Sequence, residues 1–165
     1  MGLFNKDKRS KIKRISVITS VVDGLPIGSG SQVTVKYKDD EVIIEESKLK
    51  TTFRIKLENI LGVTVADKKE IINANKSVLG RGVAGGLVFG PVGAMLGGLS
   101  GVGGNQKKIT ANTFLVIAYK NKDGEIANIT FDVSSMLVKS VAMDFEKCLN
   151  SILKDSGIAG ADIEL

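Results

Sequence analysis

Histidine is absent from the 165 residues, which removes the commonest general base and metal ligand. The single cysteine, Cys148, falls on the apolar side of a helical pattern, the place of a packed core residue rather than a nucleophile. Acidic pairs stand at Asp39-Asp40 and Glu45-Glu46. One is at a turn and the other at a strand end, where solvated charge is a simpler reading than a metal site. Gly80-Arg81-Gly82-Val83-Ala84-Gly85 matches G-x-G-x-x-G. No strand precedes it and no acidic residue follows before Asp123, so the setting of a dinucleotide site is missing. No G-x-x-x-x-G-K-[ST] occurs either. These residues predict a non-enzymatic protein, with no catalytic, cofactor-binding or metal-ligating residue to name.

Two stretches carry binding chemistry instead. Val78 to Gly104 has Arg81 as its only charge, and glycines recur at Gly82, Gly86, Gly90, Gly93, Gly97 and Gly101. Steps of three and four keep those positions on one face of a helix. Glycine costs roughly 1 kcal/mol inside a helix relative to alanine, so propensity does not explain the pattern. A smooth glycine face lets two helix backbones approach closely. A flexible linker is the competing reading, but linkers are rich in serine and polar residues, and this stretch is rich in Leu, Val, Met and Phe. The second stretch is the N-terminus. Lys6, Lys8, Arg9, Lys11, Lys13 and Arg14, less Asp7, account for the whole net charge of +5. That cluster predicts contact with an anionic surface, lipid or nucleic acid; a solvated tail is the plainer alternative.

The elements that must position these stretches are legible from period. Ile15 to Val22 reads as a strand. Val33, Val35 and Tyr37 alternate with polar residues, as do Phe53, Ile55 and Leu57, and Val63 and Val65. Glu41 to Glu46 makes another strand. Phe114 to Tyr119 is apolar on both faces, and Asp123-Gly124 signals a hairpin to a return strand, Ile126 to Val133. Ser134 or Ser135 then caps an amphipathic helix at about 135–154. A chain of this length builds one domain, or one domain with an appendage. The predicted division is a flexible basic tail at 1–14, a domain at 15–68 and 109–155, an insertion at 76–106 and a flexible tail at 156–165.

Strands in antiparallel succession ending in one helix, carried by Phe53 to Val65, Phe114 to Val133 and the terminal helix, resemble the pleckstrin-homology-like domains of bacteria. More specifically, the chain resembles a bacterial and phage group in which a glycine-zipper segment interrupts such a domain. The resemblance covers roughly residues 30–154. It implies an α+β fold: a curved antiparallel sheet or partly open barrel, a C-terminal amphipathic helix and an inserted glycine-rich helical hairpin. It also implies binding of lipid headgroups or peptides. Members that bind phosphoinositides place basic residues around the first strand-to-strand loop. The corresponding turn is read here as Lys38-Asp39-Asp40-Glu41, which is acidic, so specific inositol-phosphate binding is not expected.

If the strands flanking the insertion share a sheet, both its ends lie on one side of any membrane, because one spanning helix would separate them by about 30 Å. Gly90 and Pro91 suit a helix end followed by a helix start, dividing the stretch into arms of roughly 16–18 Å. The glycines, with Pro91 at the turn, are the expected interaction or oligomerisation residues. Leu79, Leu87, Phe89 and Leu96 are among apolar residues too numerous for a monomer to leave in water. The partners this predicts are an anionic membrane surface or a second copy of the chain, with a protein or small ligand as a further alternative. A phage or host-defence role would fit the soluble oligomer. Eight aromatic residues and no reading module argue against nucleic acid. A lone cysteine fits a reducing, cytoplasmic setting, peripheral at the inner membrane face if lipid is the partner. Ile15 to Val22 is too short and polar for a signal-peptide core, and Lys6 replaces the Ser or Thr of a myristoylation motif.

Overall fold

Alternating apolar residues give seven strands: β1 (Ser16–Asp23), β2 (Gln32–Lys38), β3 (Glu41–Glu46), β4 (Thr52–Lys56), β5 (Ile60–Asp67), β6 (Thr113–Lys120) and β7 (Ile126–Asp132). They come from a computed structural model that describes residues 9–71 and 111–158. The strands form one sheet in the order β4-β3-β2-β1-β7-β6-β5, with every neighbouring pair antiparallel. β1 is central, and a register shift between Val21 and Asp23 bends it as it passes from β2 to β7. The longest helix among the described residues, α1 (Met136–Asp155), packs on the sheet against β5 and β1. This is the curved-sheet α+β architecture expected from the sequence. The inserted helical hairpin lies outside the described residues.

The core is where the period-2 and period-3.6 patterns meet. Val33, Val35 and Tyr37 of β2, Leu115 and Ile117 of β6, and Ile129 and Phe131 of β7 share one buried core with the stripe of α1, which is Ala142, Phe145, Leu149, Ile152 and Leu153. Burying a side chain of this size contributes about 1.5–3 kcal/mol, so the stripe alone fixes the helix on the sheet. Asn150 adds direction: its Nδ2 donates to the Val63 carbonyl at 2.6 Å and its Oδ1 accepts from the Val63 N–H at 3.1 Å. Thr64 and Glu146 pair alongside at 3.2 Å. The helix thereby satisfies part of the open edge of β5.

Several expectations change in detail. Residues 9–12 form a helical turn, and Ile12 is fully buried in the main core, so the N-terminal segment is attached to the domain from Arg9 onward. The first strand-to-strand connection is Gly24–Ser31, between β1 and β2, and it carries no charge. Lys38-Asp39-Asp40-Glu41 is instead the second connection, a two-residue hairpin with φ of 52° and 59° at its aspartates. Asp tolerates that left-handed region better than most residues. Gly24 takes φ +92°, and a Cβ there would lie 2.1 Å from the Asn128 carbonyl oxygen, so only glycine fits.

The N-cap falls on one of the two serines expected, and the C-terminal end runs further than expected. Ser135 occupies the N-cap without a side-chain bond, because Ser134 is the serine that binds backbone, across at β6. Beyond α1, Gly157 at φ +70° and the bonds Gly157 N–H to Lys154 O and Ile158 N–H to Leu153 O make a Schellman cap. Ile158 packs on the core, so residues 156–158 belong to the domain rather than to a free tail.

Candidate functional site

β5 and β6 pair along their whole length, from Ile60↔Tyr119 to Asp67↔Thr113. Their far ends are therefore the two sides of the insertion, and they stand in adjacent strands. Lys68 N–H donates to the Asn112 carbonyl at 2.8 Å, one step beyond the last pair. The outgoing side is a helical turn at residues 68–71. Glu70 Oε2 accepts from the Asp67 N–H at 2.7 Å, the reciprocal half of a capping box. Ile71 and Ala111, the last residues described on each side, are both buried against Ala66, Phe114 and Val116. This small cluster lies on the face of β6 opposite the main core, and it explains why β6 is apolar on both faces.

Side chains tie the root down further. Asp67 Oδ1 accepts from the Thr113 hydroxyl at 2.7 Å and from Lys139 Nζ at 3.2 Å. The Thr113 bond first, and the lysine second, hold the Asp67 carboxyl below the ordinary carboxylate range. Ser134 Oγ accepts from the N–H groups of Asn112 and Thr113 at 2.8 and 3.2 Å and donates to Asp132 Oδ1 at 2.6 Å. The start of α1 is thus bound to the incoming side of the insertion.

Beside the root is an open cleft of about 660 Å³, lined by Ile18, Thr19 and Ser20 of β1, the Ser29–Gln32 turn, Lys48, Asp132 and Val138. The Thr19 hydroxyl donates to the Asp132 carbonyl, closing its floor. Half of the lining residues carry a hydroxyl or amide, and Lys48 and Asp132 are its two charged residues. Among the described residues no group of His, Cys, Asp and Glu could hold a metal ion, and no helix is long and apolar enough to cross a membrane.

The basic residues fall into three groups. Lys6 and Lys8 lie outside the described residues. Arg9 Nη1 reaches Asp40 Oδ1 at 3.3 Å and Lys13 Nζ reaches Asp39 Oδ1 at 3.7 Å, so the acidic hairpin partly neutralises this pair. Lys11 and Arg14 are exposed. Asp40 also accepts a hydrogen bond from Tyr37, whose hydroxyl is pushed well above its ordinary range by burial first and by that bond second. Gly82, Gly86, Gly90, Pro91, Gly93, Gly97 and Gly101 all lie outside the described residues.

Sequence reasoning missed the cleft, the Ser134 and Asn150 bonds and the pairing of Arg9 and Lys13 with the acidic hairpin. Each joins residues distant in the chain. The acidic hairpin itself carried a signal: an Asp-Asp turn close to a basic cluster in a small domain invites pairing.

No curated protein matches the chain. The family model described as "Glycine zipper containing PH domain" matches residues 26–132, from the β1–β2 connection to the end of β7 with the insertion included. That span is more than half of the sequence and combines the sheet built here with the periodic glycine stretch, so the chain belongs to the family of glycine zipper containing PH domains.

Proposed function

We infer that this protein is a non-enzymatic binding module whose PH-like domain carries the glycine-rich stretch to a membrane surface, into which the stretch packs as a returning helical hairpin. The observation that supports this is the Asp67↔Thr113 pair, with both flanks anchored by Ile71 and Ala111. A segment that leaves and re-enters one sheet between adjacent strands must double back, whatever surrounds it. Arms of roughly 16–18 Å reach about half the thickness of a bilayer. The glycine face then serves backbone-to-backbone contact, within the hairpin or between copies. Lys11 and Arg14, with Lys6 and Lys8, add attraction to an anionic leaflet of about 1 kcal/mol for each residue near the surface.

Sedimentation with anionic vesicles tests the reading. Gly86→Leu and Gly97→Leu place a side chain where helices touch and are expected to lose most vesicle binding. Val102→Leu, on the opposite side of that arm at 3.6 residues per turn, is expected to retain it. Identical behaviour of all three with the unsubstituted chain would leave the stretch a linker. Loss of oligomeric mass by the glycine variants, with no vesicle binding by any form, would make self-association the function instead.

A further inference from the structure

Most large apolar side chains of the described residues are buried, but four are strongly exposed near the root of the insertion. Ile18 is 60% exposed, Leu49 75%, Met136 86% and Leu137 80%. Ile18 and Val138 line the same cleft as Lys48, and Leu49 follows Lys48 in the turn between β3 and β4. Met136 and Leu137 follow Ser134, whose hydroxyl oxygen binds the N–H groups of Asn112 and Thr113. The exposed apolar residues and the point where the chain departs at residue 71 and returns at residue 111 therefore share one side of the molecule. Lys48 and Lys50 flank Leu49 and make no ion pair among the described residues, whereas nearby Lys139 is engaged by Asp67.

We propose that this face, Ile18, Leu49, Met136 and Leu137 with Lys48 and Lys50, is the surface that lies against an anionic bilayer. The proposal rests on the membrane reading given above and adds the orientation of the domain. An insertion that enters the bilayer from its root brings this side of the domain to the headgroups. Isolated apolar tips beside unpaired lysines suit that boundary: the tips enter the acyl edge while the ammonium groups meet lipid phosphate. The Asn121–Gly124 turn is at the other end of β7 from Asp132, roughly 20 Å away at the rise of a strand, and faces water.

The chain contains no tryptophan, so single-tryptophan variants report position without background. Leu137→Trp and Leu49→Trp are compared with Lys122→Trp on the distant turn, using vesicles of phosphatidylcholine and phosphatidylserine. The first two are expected to shift to the blue and to be quenched by lipids brominated in the acyl chain. Lys122→Trp is expected to do neither. Lys48→Gln with Lys50→Gln is expected to lower vesicle partitioning roughly thirtyfold at low salt. All these positions are exposed, so each variant should unfold with an unchanged midpoint. If the chain sediments with vesicles while Leu137→Trp and Leu49→Trp behave like Lys122→Trp, this orientation is wrong and the membrane reading stands. If no form sediments, both fall. A blue shift that grows with protein concentration in the absence of lipid would assign the face to a second copy and overturn the proposal.

Discussion

Asp67 gathers two donors at the place where the insertion leaves the sheet, and its titration reports the integrity of that root. Its carboxyl is held below the ordinary range by Thr113 and Lys139. A depressed carboxylate contributes stability that is fully present above its unfolded value, near 4, and is lost as pH falls through the folded value. The difference in melting temperature between wild type and Asp67→Asn is therefore expected to be constant at neutral pH and to vanish in acid. A gap that persists in acid would mean that the hydrogen-bond geometry, rather than the charge, is what matters. The ion pairs of Arg9 and Lys13 are exposed and contribute little individually. What seats their segment is Ile12. Ile12→Ala is expected to cost about 2–5 kcal/mol in denaturant unfolding, the range for a buried aliphatic truncation. A cost near zero would show that the segment is held from elsewhere.

At the scale of elements, α1 illustrates which features a sequence discloses. Part of its buried stripe was legible because Phe145, Leu149 and Ile152 recur at helical spacing, whereas Leu137 and Val141, apolar in the same pattern, are exposed and Ala142 takes the buried place. The strands were equally legible, since alternation in β2 and β6 needs no partner to be seen. Asn150 was not legible: a polar residue on a helix flank looks the same whether it faces water or the edge of β5. Its two bonds to Val63 leave both backbone groups of that residue unpaired if the amide is removed. Asn150→Leu is expected to destabilise the fold by about 1–3 kcal/mol despite the gain in apolar surface. Equal denaturant midpoints for the variant and wild type would show that water replaces the amide without cost.

For the whole molecule, local period implied a single antiparallel sheet but not the order of its strands. β1 sits between β2 and β7, joining the first and last strands of the chain. That pairing comes from closing the sheet over α1, and nothing in residues 16–23 or 126–132 alone announces it. The same closure is expected to make the insertion dispensable to the domain. Asp67 and Thr113 are held in register by the β5–β6 ladder, and Ile71 and Ala111 keep their own contacts in the second cluster. Removing residues 76–106 and joining the remainder by a short Gly-Ser turn shortens that connection about threefold, which lowers its closure cost by roughly 1 kcal/mol. The shortened chain is expected to unfold cooperatively, with a melting temperature no lower than that of the full chain, and to lose vesicle binding. Loss of cooperative unfolding would make the insertion part of the core that covers Phe114 and Val116. Vesicle binding retained at full strength would make the domain face and the basic segment, rather than the insertion, the membrane anchor.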